Sequence, residues 1–266
     1  MKLKCACQTI TWGDNQAERF DRIFASVRQA GFEGVEIGFR HIQGVPPDRL
    51  KTQLAEHGLV LVASHIGGNL ENAGQAGNER GMLDDVIDYL TAAGAGLLMY
   101  SGLNAPSPQA VRGDMAMLGR AAERAALRGI RLLYHNHHWE FLNRGIMDAL
   151  LADCPTLGLC PDIGWLYRAG VDVVAFLQAN AARIGAVHFK DFASPGDGTV
   201  SFNMDTVPLG AGKVPLREVA AWLRAQPARP APLWMIAEQD RHDGNVEDAI
   251  AINGQFLVQM QEGAGQ

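Results

Sequence analysis

His135-Asn136-His137-His138-Trp139-Glu140 places three imidazoles, an amide and a carboxylate in six consecutive positions. The segment follows Arg131-Leu132-Leu133-Tyr134, whose apolar core is what a buried parallel strand requires. Titratable side chains gathered at the end of such a strand suit a metal or catalytic site at the mouth of an α/β sheet. Trp139 and Phe141 do not suit a merely solvated turn.

Three later apolar runs end in the same way. Thr156-Leu157-Gly158-Leu159-Cys160-Pro161 leads to Asp162, Ile184-Gly185-Ala186-Val187 leads to His188, and Leu233-Trp234-Met235-Ile236-Ala237 leads to Glu238. If these strands are parallel neighbours, Glu140, Asp162, His188 and Glu238 converge. Three carboxylates and one imidazole in one cavity repel unless something positive joins them. A divalent cation resolves the conflict. The oxygen-rich set suits Mn²⁺ best, with Mg²⁺, Co²⁺ or Zn²⁺ as alternatives.

The elements that must position these groups recur along the whole chain. Strands are expected at 2–10, 34–38, 59–65, 96–102, 131–140, 156–162, 184–191 and 233–238. Helices are expected at 17–30, 48–57, 82–93, 108–128, 145–153, 171–182, 216–226 and 246–260. In the first helix Phe20, Ile23, Phe24 and Val27 share one face. Two long Gly-rich stretches, 67–81 and 192–213, read as loops over the mouth. Eight strand–helix units with parallel crossovers predict an α/β fold, one (β/α)8 TIM barrel over residues 1–266. The alternative, an open doubly wound sheet, usually carries a Gly-rich phosphate turn after its first strand, and Gln8-Thr9-Ile10-Thr11-Trp12-Gly13 is not one.

The bulk properties agree. The 266 residues match the ~250 typical of such a barrel, and 47% hydrophobic residues can fill a large core. A net charge of −6 argues against a nucleic-acid partner. The sequence shows no apolar signal core and no run near the ~20 residues of a membrane span, so a cytoplasmic protein is expected. Cys5, Cys7, Cys154 and Cys160 form no zinc-ribbon spacing and read as reduced core residues.

The segments Tyr134-His135-Asn136-His137-His138-Trp139-Glu140, Pro161-Asp162-Ile163-Gly164-Trp165, Val187-His188-Phe189-Lys190-Asp191 and Ala237-Glu238-Gln239-Asp240 resemble the xylose-isomerase-like barrel superfamily, the sugar phosphate isomerase/epimerase group. The resemblance covers nearly the whole chain. It implies one divalent metal held from strands five to eight, and a small-molecule sugar substrate in carbohydrate metabolism. The Tyr-His-Asn-His-x-x-Glu and His-x-Lys-Asp segments resemble a branch acting on inositol-like and 3-keto sugar substrates, including 3-keto-glycoside lyases. Ketose 3-epimerases of the group carry Glu-x-x-Asn-Arg on strand five. This chain has His-Asn-His there, so whether Glu140 or a fifth-strand histidine is the ligand stays open.

The implied reaction is proton abstraction next to a carbonyl, with a metal-stabilised enediolate. Glu140 or Glu238 would move a proton, and His137 is a further base. Lys190 would stabilise an oxyanion, or instead pair with Asp191 or Asp162. His65 and His135 would contact substrate hydroxyls; for His65 a capping or core role is the alternative. Trp12 and Trp165 would form an apolar wall against the sugar or pack in the core. Glu36 could orient His65. His41, His57 and His242 read as surface residues.

The expected activity is a metal-dependent sugar isomerase or epimerase. A lyase or dehydratase on a 3-keto sugar, keto-glycoside or inosose shares the first step. An AP endonuclease with three zincs belongs to the same superfamily but needs further histidine ligands, whereas strand four ends in Tyr100-Ser101 and Trp165 stands where another histidine would serve. A non-catalytic sugar-binding protein would not need these ligands. Pairing of copies through outer helices, as in many such barrels, is compatible with the pattern.

Overall fold

The computed structural model describes residues 1–67, 81–103, 107–142, 145–194 and 205–263. Eight parallel strands form the barrel: β1 (Leu3–Gln8), β2 (Gly34–Gly38), β3 (Val60–Gly67), β4 (Leu97–Ser101), β5 (Arg131–His135), β6 (Gly158–Cys160), β7 (Ala186–Phe189) and β8 (Leu233–Ala237). Their order is β6-β5-β4-β3-β2-β1-β8-β7. Parallel bridges Leu159–Ile184 and Asp162–His188 join β6 to β7 and close the ring. The protein is a (β/α)8 TIM barrel.

The strands carry apolar residues on both faces because both are covered. Inside the ring, Ala6, Val62, Ala63, Met99, Leu133, Cys160, Ala186 and Ile236 pack together. Leu133 occupies much of that space: a Cβ on Gly158 or Gly185 would lie 2.4 or 2.7 Å from its Cδ2. The larger core lies between the strands and the outer helices. Among these, α1 (Phe20–Gln29) buries Phe20, Ile23, Phe24 and Val27, the face its spacing predicts. It starts later than expected because residues 16–19 form a separate 3₁₀ turn.

Two short helices, α2 (Phe39–Ile42) and α3 (Ile163–Arg168), follow directly on β2 and the β6 end and were not expected. The fifth strand stops at His135, five residues before its expected end. The cause is Asn136. Its Oδ1 accepts from the Asp162 N–H at 3.1 Å, and its Nδ2 donates to the Asp162 carbonyl at 3.3 Å. A side-chain amide thus replaces the next ladder step, and the chain turns away. The sixth strand is shorter than expected at both ends; at its C-terminal end Asp162 caps α3, its Oδ1 accepting from the Trp165 N–H at 3.0 Å.

The expected loop 67–81 lies outside the described residues for positions 68–80, as does 195–204 of the second loop. The described ends of the second loop pair as a two-residue antiparallel ribbon, Asp191–Phe192 with Thr206–Val207. The Asp191 carboxylate accepts from the backbone N–H groups of Phe192, Gly210, Gly212 and Val214 at 2.9–3.1 Å.

Candidate active site

At the C-terminal end of the barrel, one ligand atom each from His135, Asp162, His188 and Glu238 lies within 4.8 Å of the others, and all four residues are buried. Asp162, His188 and Glu238 come from three of the strand ends singled out in the sequence. The fourth place is filled by His135, the last residue of β5, and not by Glu140. Glu140 sits in the turn that Asn136 starts, fully buried. Its Oε1 accepts from the Tyr134 hydroxyl at 2.6 Å and its Oε2 from the His137 N–H at 2.9 Å. The carboxylate expected as ligand and acid–base group is thus engaged as a tether of the β5 turn. Burial pushes its pKa up to about 7, against the hydrogen bonds from Tyr134 and His137.

Glu36, on β2, sets the orientation of two imidazoles. His188 Nε2 lies 2.9 Å from its Oε2, and His65 Nδ1 3.3 Å from its Oε1. This turns His188 Nδ1 toward Glu238, with which it makes a short contact. Burial would raise the Glu36 pKa, but the charge of His188 and hydrogen bonds from His188 and His65 bring it down to about 2. His65 Nε2 meets Ser101 Oγ at 2.9 Å. Burial also lowers the pKa of His65, though Glu36 opposes this.

Lys190 is fully buried. Its Nζ lies 2.7 Å from Asp240 Oδ2, 3.3 Å from Asp162 Oδ2 and 3.4 Å from Glu238 Oε1. Burial works against its charge, but Asp240, Glu238 and Asp162 outweigh it and raise its pKa. Asp191, taken up by four backbone N–H groups, has no such contact with it. Trp165 is buried beneath the Lys190 ammonium, 4.9 Å from ring centroid to Nζ, and packs on Phe192. A Cβ on Gly164 would lie 2.7 Å from the Lys190 carbonyl oxygen, so glycine permits this close approach of α3 to β7.

A cleft of about 200 Å³ opens over the group, lined by Gln8, Ile10, Gln16, Gly38, Arg40, His41, His65, Gly67, Ser101, His137, Glu238 and Asp240. It reaches the four-residue group through Glu238. His137 stacks flat on Trp139, with centroids 4.2 Å apart, and its buried Nδ1 has no hydrogen-bond partner. Burial, then the nearby His135 and Lys190, hold its pKa well below the usual imidazole value. Trp12 and Trp165 are core residues and do not line the described cleft. His41, expected on the surface, is 8% exposed and lines the cleft. His57 and His242 are half-buried, beside Asp21 and Gln239 respectively. Asp240, Arg40 and Trp139 were not anticipated as site residues. Asp240 carried a signal, standing two residues past Glu238 on the same strand parity.

The four residues fit a divalent cation. Their donors are two imidazole nitrogens and two carboxylates, a mixed set that suits first-row divalent ions. Asp162 commits Oδ1 to its helix cap, while its buried Oδ2 faces the group, 3.3 Å from His135 Nε2 and from Lys190 Nζ. Holding Nε2 of His188 on Glu36 leaves Nδ1 to face the group, the arrangement by which an outer carboxylate orients a metal-binding histidine. Among the described residues this is the one group of such geometry.

A (β/α)8 barrel with a cation-competent group at the C-terminal ends of β5 to β8 defines the class of protein. The chain belongs to the xylose isomerase-like TIM barrel family, whose model matches residues 24–259. Comparison with curated proteins gives no significant sequence match. Among solved structures, the IOLI protein with a bound zinc atom is 14% identical, with a TM-score of 0.79 and 99% of each chain covered. The probable 3-DHS dehydratase AsbF of petrobactin synthesis from Bacillus anthracis is 17% identical, with a TM-score of 0.73 over 96% of this chain and 98% of that one. A xylose isomerase-like TIM barrel protein from Mycobacterium smegmatis, in complex with magnesium, is 17% identical, with a TM-score of 0.72 over 98% and 97%. At these identities the similarity shows the fold alone.

Proposed function

We propose that this protein is a divalent-metal-dependent enzyme that removes a proton next to a carbonyl of a keto sugar or inositol-like substrate and so isomerises or epimerises it. The carrying observation is the buried group of His135, Asp162, His188 and Glu238 beneath a cleft that also presents His137 and His65. A cation there, Mn²⁺ being the reading favoured from the sequence, would polarise the carbonyl and a neighbouring hydroxyl. The zinc-bound IOLI barrel and the magnesium complex of the Mycobacterium smegmatis barrel support a metal of this kind.

The chain's own residues would do the rest. His137, which lines the cleft, takes the proton from carbon. The electron pair moves to the carbonyl oxygen, where the Lys190 ammonium behind Glu238 and Asp162 offsets the growing negative charge. Return of the proton to the neighbouring carbon gives the isomer; return to the same carbon from the other face, with His65 or Glu238 as donor, gives the epimer. His65, fixed by Glu36 and Ser101, also binds a substrate hydroxyl.

A second reading is a lyase or dehydratase. It is favoured by the placement of Glu140 away from the group, which leaves an imidazole and not a second glutamate in the cleft. His137 could then take the proton and return it to a departing hydroxyl or glycoside oxygen, leaving an unsaturated ketone. The similarity to the Bacillus anthracis barrel, a probable dehydratase, supports this alternative.

The experiment is metal analysis of the wild type beside Asp162→Ala, followed by solvent deuterium exchange into a panel of keto sugars. About one equivalent of a divalent metal, lost in the variant, together with deuterium at the carbon next to the carbonyl, is the expected result. Exchange without a leaving group assigns the isomerase, and release of one assigns the lyase. Protein that binds no metal on reconstitution and exchanges nothing overturns the reading, and three equivalents of zinc would point to the endonuclease chemistry instead.

A further inference from the structure

The cleft carries an unused pair of nitrogen donors at the end of β2. At Gly38 the strand gives way to α2, which carries Arg40 and His41, and all three residues line the cleft. A Cβ placed on Gly38 would lie 3.7 Å from Arg40 Nη1 and 3.8 Å from His41 Nε2. The missing side chain leaves a hollow the size of one methyl group, with His41 Cδ2 its nearest wall at 3.4 Å. His41 is 8% exposed, and its Nε2 is buried without a hydrogen-bond partner. A buried imidazole nitrogen with nothing to bond is costly unless a ligand completes it.

Arg40 is the one permanently charged cation among the described residues lining the cleft. Its nearest carboxylate among the described residues is Asp14, with Nε and Oδ1 4.0 Å apart and both side chains exposed. Such a pair contributes little and leaves the guanidinium available. The acidic lining residues Glu238 and Asp240 belong to the β8 end, where both contact the Lys190 ammonium. The cleft thus presents two carboxylates from the β8 end and one cation from the β2 end, where Gly38 pairs in register with His65.

We propose that Arg40, His41 and the hollow over Gly38 form a subsite for an anionic substituent, so that the substrate is an acidic keto sugar or cyclic keto acid that carries a carboxylate or phosphate. This rests on the function proposed above and narrows its substrate class. A guanidinium matches either oxyanion in a forked geometry, and the imidazole adds one bond.

The test is a matched panel: a 3-keto-glucose, the corresponding keto-glucuronate and the phosphate ester of the same keto sugar. Each is measured by calorimetric binding, to metal-free and metal-loaded protein, and by deuterium exchange with the loaded protein. The wild type should bind at least one acidic member roughly 10–100-fold more tightly than the neutral one, the scale of one charge-assisted contact. The tighter acid tells carboxylate from phosphate. Arg40→Ala should bring the ratio close to one. Gly38→Ala should reduce it by filling the hollow, since the added Cβ meets its neighbours at no less than 3.4 Å and the fold accommodates it. Equal binding of neutral and acidic members, a preference that survives both substitutions, or no binding by any member overturns the subsite. An acidic preference in binding with no exchange anywhere removes the proposed reaction and leaves the subsite. Exchange with all members at equal affinity does the reverse.

Discussion

Glu140 shows how one carboxylate can look catalytic and act as a strut. Its two oxygens accept from Tyr134 and His137, and Tyr134 in turn accepts from the Leu103 N–H at 3.0 Å. The ends of β4 and β5 and the turn carrying His137 are thus joined through one buried group. Its pKa, raised to about 7 from the ordinary 4.5 by burial, sets the direction of a pH effect. Between those values the folded state holds a proton that the unfolded chain has released, so stability is greatest below the lower value and falls as pH rises through the window. Thermal unfolding followed from pH 4.5 to 7 should therefore show a falling Tm from this group. In Glu140→Gln the slope should flatten, while overall stability drops by about 1–3 kcal/mol because an amide nitrogen then faces the His137 N–H. An unchanged slope would show that Glu140 is ionised throughout.

At the scale of elements, Asp191 does for the β7–β8 connection what Glu140 does for the β5 turn. Four backbone N–H groups, three of them in residues 210–214, converge on its carboxylate. A Cβ on Gly212 would lie 2.2 Å from Asp191 Oδ1, so the loop wraps tightly around this anion. Asp191→Ala leaves all four donors without this partner, at about 1–3 kcal/mol for each of the two buried ones, on Phe192 and Val214. Limited proteolysis should then cut near residues 208–214 at protease levels that spare the wild type, with a Tm lower by several degrees. Equal resistance of the two proteins would assign the loop's order to its other contacts, such as Leu209 N–H on Asn253 Oδ1 at 2.8 Å.

For the whole molecule, the four-residue group joins strands distant in sequence. His135 and Glu238 are 103 residues apart, with Nε2 and Oε2 3.3 Å from each other. A cation bound there cross-links the C-terminal ends of β5, β6, β7 and β8 in the native state alone. Adding metal at 100 times its dissociation constant should stabilise the protein by about 2.7 kcal/mol, a Tm rise of several degrees for a chain this long. A chelator should reverse the rise, and Asp162→Ala should lack it. An equal rise in that variant would place the stabilising ion elsewhere. No helix among the described residues is long and apolar enough to cross a membrane.

The eight-unit barrel was legible because strand periodicity, apolar runs and helix faces are local signals. The strand-end positions of Asp162, His188 and Glu238 were legible for the same reason, each being the first polar break after a buried run. The exchange of Glu140 for His135 was not. Where β5 ends depends on the Asn136 side chain bonding the backbone of Asp162, 26 residues away, which only the folded ring brings alongside. Nor could spacing show that His41 is buried, because a short helix after β2 turns it over the cleft. Local sequence determined which residues could be buried and which could do chemistry; contacts between distant strand ends decided which of them meet, because a ligand set needs ångström-scale convergence that no stretch of chain contains by itself.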